Sequence, residues 1–484
     1  MKYTLRVLVL VLSLAVVAAH AQIPQFQHIM IVFQENRTPD NLFYALCANS
    51  PCSTTPNNTQ YNIQTANWLD ATSSTGVRQP TGIPLSASGS YQVDHGHPAW
   101  KKQCDLNTNV NPNQCLMDGA ALATPGGHAF AFVNNTVNKT YPNGVLTPYL
   151  TLARQYGWAN YMFQTNQGPS FPAHQFIFGG TSALDAAGDA EGTFIAEEPT
   201  PILSGCFAPN GAKVQLINSA GFEKALVVNY AAGITTCLTR ITMADLLDSA
   251  NIGWKYYAAN GTHTWTAPNA IQTICQPDVD HKNCTGSEWA SHMDLNPPDV
   301  LKDLGLNGGP CNLQGVSWVI PAGGYADHGK GWGGPDWVSS IVNALGNSPC
   351  RNSDGSTYWN TTAVVITWDD WGGWYDHVPP PILPFPEGAY QMGFRVPLIF
   401  VSAYTPVGYI DNLNHDFGSV LRFIEGNFDL GQGALGFADS RATTDFSTFY
   451  NLGNSPRPFA TIPTVKTGSD FLYDKTPLTD PDDD

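Results

Sequence analysis

Positive charge is scarce in this sequence. Its 484 residues contain 22 Lys and Arg against 39 Asp and Glu, a formal net charge of −17. So acidic a chain is a poor electrostatic partner for nucleic acid or for anionic membrane surfaces. An anionic substrate is still permitted, because a bound metal ion reverses the local field. Long apolar runs are missing after the first twenty or so residues, so no later segment is expected to cross a bilayer as a helix. None of the ten cysteines has a partner at C-x2-C spacing, which disfavours a structural zinc site. No internal repeat is present.

What is present begins with an export signal. Lys2 and Arg6 flank the start of an apolar stretch over residues 7–19, and Ala19-His20-Ala21 has the A-x-A form of a cleavage site. The stretch is too short to span a membrane. Cleavage after Ala21 is therefore expected, giving an extracellular or periplasmic mature chain with no integral membrane segment. In that compartment ten cysteines imply five disulfides, whose connectivity spacing does not determine. Short-range pairing suits Cys47 with Cys52, Cys104 with Cys115, and Cys275 with Cys284, leaving Cys206 with Cys237 and Cys311 with Cys350. Length allows two domains. The reading adopted is one domain over 22–484, with loop-rich insertions at about 47–144 and 183–239 and an extended tail at about 447–484.

The chemistry gathers at predicted strand ends. Residues 363–366 (AVVI) form a buried strand that runs into Asp369 and Asp370, then Gly372 and Gly373. Residues 28–33 (HIMIVF) form another, ending at Glu35 and Asn36. A helix is predicted with Thr147 as N-cap, Pro148 at its first position and Gly157 just past its end, followed by a strand over 161–165. Ser170 comes next at a strand-to-helix turn, where N–H groups favour anions. Further strands are predicted at 254–258, 316–320 and 396–401, and helices at 242–250, 335–345 and 418–428. The alternation argues for an α/β fold with a mainly parallel sheet sandwiched by helices.

In open α/β sheets ligands bind beyond the carboxyl ends of the strands, so Glu35, Asn36, Ser170, Asp369 and Asp370 become one candidate site. His97 and His328 lie on loops able to reach it, with His95 a rival for the His97 role. Oxygen ligands suit Mg, Ca or Mn, and an added imidazole widens the choice to Zn or Fe. A serine beside such a cation is an activated nucleophile. Taken singly, each residue has an ordinary reading: Glu35 as a surface acid, Ser170 as a helix cap, Asp369-Asp370 as a solvated pair. His174, Asp376 and His377 are read as supporting residues, and His263, His281 and His292 have no framing motif.

The motifs taken together resemble the bacterial phosphoesterase family of phospholipases C and acid phosphatases, related in fold to alkaline phosphatases. They are QENRTPDNLF (34–43), DHGHPAW (94–100), MDG (117–119), TNQGPSFPAHQ (165–175), DHG (327–329), TWDDWGGWYDHVPPP (367–381), GFRVPLIFVSAY (393–404) and SVLRFIE (419–425). The resemblance implies an alkaline-phosphatase-like sheet and one divalent metal ion of unknown identity held by Glu35, Asn36, Asp369 and Asp370. It also implies Ser170 as nucleophile, and His97 and His328 as contacts to the phosphate or leaving group. One departure is visible. Many relatives have Asp-His-Thr-Ser before the late helix, where this chain has Asp416-Phe417-Gly418-Ser419 with His415 upstream.

The expectation is a secreted, metal-dependent phosphoesterase acting on a phospholipid or a soluble phosphomonoester through a serine nucleophile. Two alternatives stand beside it. A non-catalytic glycan- or polymer-binding protein would use the 13 Trp, 19 Tyr and 23 Phe. A sulfatase on the same scaffold would need a C/S-x-P-x-R motif, whereas Ser170 is followed by Phe-Pro-Ala-His.

Overall fold

The computed structural model describes residues 24–91, 93–110, 113–328, 333–381 and 392–481. The leader expected over 1–21 lies outside them. Eight strands form the central sheet: β1 (His28–Gln34), β2 (Gly157–Met162), β3 (Trp254–Tyr257), β4 (Met293–Asp294), β5 (Val316–Val319), β6 (Thr362–Trp368), β7 (Leu398–Ser402) and β8 (Tyr409–His415). Their order is β4-β3-β5-β1-β6-β7-β2-β8. All neighbours pair parallel except β7, which runs antiparallel to both β6 and β2. Every residue of β1 and β6 is buried, as their unbroken apolar sequences require of strands covered on both faces.

Helices α1 (His97–Cys104), α2 (Thr147–Gln155), α3 (Ser170–Gly179), α4 (Gly334–Gly346) and α5 (Phe417–Asn427) surround the sheet and its loops. One contiguous apolar core runs from Phe26 to Phe471. Two boundaries differ from the sequence reading. Thr147 is the first helical residue rather than the cap, which is Leu146. The strand expected over 161–165 lies earlier, because Gly157-Trp158 pairs with Ile399-Phe400. At Gly157 only a hydrogen fits: a Cβ would lie 2.4 Å from the Phe449 ring. Edge strand β8 was not anticipated, as YIDNLNH lacks a clean apolar alternation.

The segment over 47–144 contains short strand pairs and a satellite apolar cluster, in which Trp68, Ile83 and Phe130 pack with Trp374 and Tyr375. Trp68 stacks on Tyr375 at 4.7 Å. That insertion is thus fastened to the aromatic loop beyond Asp369-Asp370. All ten cysteines are paired, as 47–52, 104–115, 206–237, 275–284 and 311–350. Among the described residues no helix is long and apolar enough to cross a membrane.

The Cys311–Cys350 bridge closes the longest loop, 39 residues. Replacing both cysteines by serine is expected to lower unfolding free energy by about 2–4 kcal/mol, read as an earlier midpoint in chemical denaturation.

Candidate active site

β1 and β6 pair in register over seven residues, from His28 opposite Thr362 to Gln34 opposite Trp368. The residues just past the two strand ends therefore lie side by side. The Asp369 N–H donates to the Gln34 carbonyl at 3.0 Å, and the Arg37 N–H to the Asp370 carbonyl at 3.0 Å. Glu35, Asp369 and Asp370 are fully buried and Asn36 nearly so. The chain turns sharply after each pair. Asn36 takes the left-handed conformation (φ 62°), and its N–H donates to Asp369 Oδ1 at 3.2 Å. Gly372 does the same (φ 62°), and a Cβ there would lie 2.4 Å from the Asn36 carbonyl oxygen. Only glycine permits that approach.

α3 brings the hydroxyl and an imidazole to this edge. Ser170 is its first residue, and Ser170 Oγ donates to Asp370 Oδ2 at 3.4 Å. His174 lies one turn later on the same helical face. Its Nε2 is 3.8 Å from Glu35 Oε1 and 3.7 Å from Asp369 Oδ2. Burial drives the His174 pKa down to about 4, against the pull of Asp369, so the imidazole is neutral and its lone pair available. Glu35, His174 and Asp369 offer ligand atoms all within 4.8 Å of one another.

His174 Nε2, Asp369 Oδ2 and Asn36 Oδ1 are buried without a hydrogen-bond partner, a costly arrangement for three polar atoms. These residues fit a divalent cation, with carboxylate, amide and imidazole donors.

Three histidines border the cluster. His95 Nδ1 donates to the Val93 carbonyl at 3.1 Å, leaving Nε2 to accept from Asn36 Nδ2 at 3.5 Å. That contact fixes the Asn36 amide with Nδ2 on the His95 side. His328 faces His95, with ring centroids 6.2 Å apart. His97 opens α1, and its Nδ1 donates to the Gln167 carbonyl at 2.9 Å, on the loop that leads to Ser170. Its Nε2 is 3.6 Å from Glu223 Oε1. His95 thus contacts the Asn36 side chain, and His97 the loop that leads to Ser170.

The loop carrying His328 is held from β1. Gln34 Nε2 donates to the Tyr325 carbonyl at 3.0 Å, and Gln34 Oε1 accepts from the Asp327 N–H at 2.9 Å. Arg37 donates to the Asp327 carbonyl. The Asp327 carboxylate accepts from Tyr149 and Trp368, both at 3.0 Å. Burial still raises its pKa to about 6, opposed by Arg37. The MDG motif has a packing role: a Cβ on Gly119 would sit 1.8 Å from the Lys102 carbonyl of α1.

A second acid–histidine cluster, Asp40, Asp376 and His377, has the spacing of a metal site, but its charge is already matched. Arg395 forks onto Asp376 at 2.8 and 2.9 Å, and His377 Nδ1 lies 2.7 Å from Asp40 Oδ2. It braces the loop after Asp369-Asp370. His415 is likewise occupied, with Nδ1 2.7 Å from Thr444 Oγ1 and Nε2 3.2 Å from Asp411 Oδ1. Asp416 caps α5 through the Ser419 N–H at 3.0 Å. The capping pair Asp416 and Ser419 is thus shared with Asp-His-Thr-Ser, and the departure falls at Phe417 and Gly418, the first two residues of α5.

Residues 26–431 match the model of the Phosphoesterase family. The chain belongs to that family. Among similar members is the non-hemolytic phospholipase C of Burkholderia pseudomallei, 30% identical over 240 residues (39% of this chain and 32% of that protein). The non-hemolytic phospholipase C of Pseudomonas aeruginosa is 22% identical over 347 residues, 65% of this chain and 44% of that protein. Phospholipase C A of Mycobacterium tuberculosis is 24% identical over 248 residues, 45% of each. The matched regions thus span less than half the length of these phosphoesterases.

Arg395→Met leaves Asp376 buried without its cation. It is expected to cost about 3–5 kcal/mol of stability, measured by thermal or denaturant unfolding.

Proposed function

We propose that this phosphoesterase hydrolyses phosphate esters of the phospholipase C or acid phosphatase type through Ser170, at a site holding one divalent cation. Glu35, Asn36, Asp369 and Asp370 would hold the ion together with His174, which the sequence reading left in a supporting role. The observation that carries this reading is the Ser170 hydroxyl at 3.4 Å from Asp370 Oδ2, next to the Glu35–His174–Asp369 cluster.

When bound, the cation supplies Lewis-acid charge beside the serine oxygen and the phosphoryl oxygens. The chain's own groups do the rest. Asp370 orients the Ser170 O–H and takes its proton as Oγ attacks phosphorus; the bond to the leaving alkoxide breaks and that oxygen is protonated. His97 and His328 would hold phosphoryl oxygens, and His328 would supply that proton. Water then attacks the phosphoserine, releasing phosphate or a phosphate ester and returning the proton to Ser170. The sulfatase alternative is set aside, since His174 stands where that motif needs arginine. The five disulfides suit an oxidising, extracytoplasmic location, and the expected leader would deliver the chain there.

Ser170→Ala is expected to reduce turnover of p-nitrophenyl esters at least about a thousandfold while leaving circular dichroism and divalent-cation binding intact. Activity near wild type would remove the nucleophile assignment. His174→Ala is expected to weaken divalent-cation affinity at least about tenfold by calorimetric titration. Unchanged affinity would remove His174 from the ligand set.

A further inference from the structure

Two adjacent glutamates reach from one loop to the N-termini of the helices that carry His97 and Ser170. Glu197 Oε1 accepts from the His97 backbone N–H at 2.6 Å. Glu198 Oε1 accepts from the Phe171 backbone N–H at 2.8 Å. Phe171 directly follows Ser170, so this N–H stands beside the proposed nucleophile, where a helix N-terminus would otherwise serve a phosphoryl oxygen. Here a carboxylate of the protein already uses it. Glu223 brings a third carboxylate to within 3.6 Å of His97 Nε2. Burial lifts the Glu197 pKa to about 7, with Asp94 and Glu223 pushing the same way against Lys101, which pairs with Glu223, so acidic groups outnumber basic ones on this wall.

The two ester classes meet this wall differently. A phosphomonoester carries nearly two charges at mildly alkaline pH and has three non-bridging oxygens to satisfy. A phosphodiester carries one charge and has two. Repulsion from a fixed carboxylate scales with the charge of the substrate, and withdrawing one amide donor penalises the oxygen-rich monoester further.

We infer that Glu198, backed by Glu197, is a specificity-determining residue that turns the site against doubly charged phosphomonoesters and toward singly charged phosphodiesters. This rests on the phosphoesterase reading above and names its substrate class.

The test compares kcat/KM for p-nitrophenyl phosphate and bis(p-nitrophenyl) phosphate at mildly alkaline pH, using metal-loaded full-length protein and its Glu198→Gln and Glu197→Gln variants. In Glu198→Gln the new amide oxygen still accepts from the Phe171 N–H, so the variant removes charge and keeps the bond. Wild type is expected to favour the diester. Glu198→Gln is expected to raise the monoester-to-diester ratio at least about tenfold, and Glu197→Gln to raise it less. A merely structural role would lower both values together and leave the ratio unchanged. An unchanged ratio in active Glu198→Gln protein, or a wild type that prefers the monoester, overturns the inference alone. A wild type that turns over neither ester overturns it together with the phosphoesterase reading.

Discussion

The site depends on one constraint, the in-register parallel pairing of β1 with β6. Strands paired from His28–Thr362 to Gln34–Trp368 must deliver the next residues of both strands to the same spot. Those residues are Glu35-Asn36 and Asp369-Asp370, three fully buried carboxylates and an amide. Two like charges about 4 Å apart repel by roughly 4 kcal/mol even at an effective dielectric near 20. That is a large fraction of the roughly 5–15 kcal/mol by which a domain is stable. A cation among these groups would turn the repulsion into attraction, and the His174 imidazole would complete a mixed oxygen–nitrogen donor set.

Much of the surrounding structure holds that edge in place. Gln34, Arg37 and Asp327 tie the His328 loop to the end of β1. Arg395, Asp376, Asp40 and His377 brace the loop after β6. The disulfide-pinned segment over 47–144 stacks Trp68 on Tyr375, and Gln103 of α1 accepts from Trp371 Nε1 at 2.8 Å. The buried aromatics of WDDWGGWYD thus anchor a rigid turn, which explains why so apolar a frame surrounds two aspartates. Rigid support of this kind is what a reactive site requires of its neighbours.

The sheet's central strands were legible because an unbroken apolar run ending in polar residues has few other readings, and β1 and β6 are of that kind. Glu35, Asn36, Asp369 and Asp370 were legible for the same reason: they stand at those strand ends. Edge strand β8 was not, since half-exposed edges lack the pattern. His174 escaped because its meaning lies in the helical spacing from Ser170, and α3 is buried all round, so no apolar stripe showed which face met the site. The bond from the Phe171 N–H to Glu198 escaped too, because it links residues 27 apart through an irregular loop. The positions of His95 and His97 were open from sequence, being two residues apart in one short turn; the fold separates them through Val93 and Gln167.

Five disulfides, a buried carboxylate cluster and a serine at a helix start all fit the proposed hydrolase site. The most direct measurement of the central claim is the metal content of the purified, dialysed protein beside that of Asp369→Asn. The account predicts about one tightly held divalent ion per chain in the wild type and its loss in the variant. A metal-free wild type that still hydrolyses phosphate esters in excess chelator would contradict it.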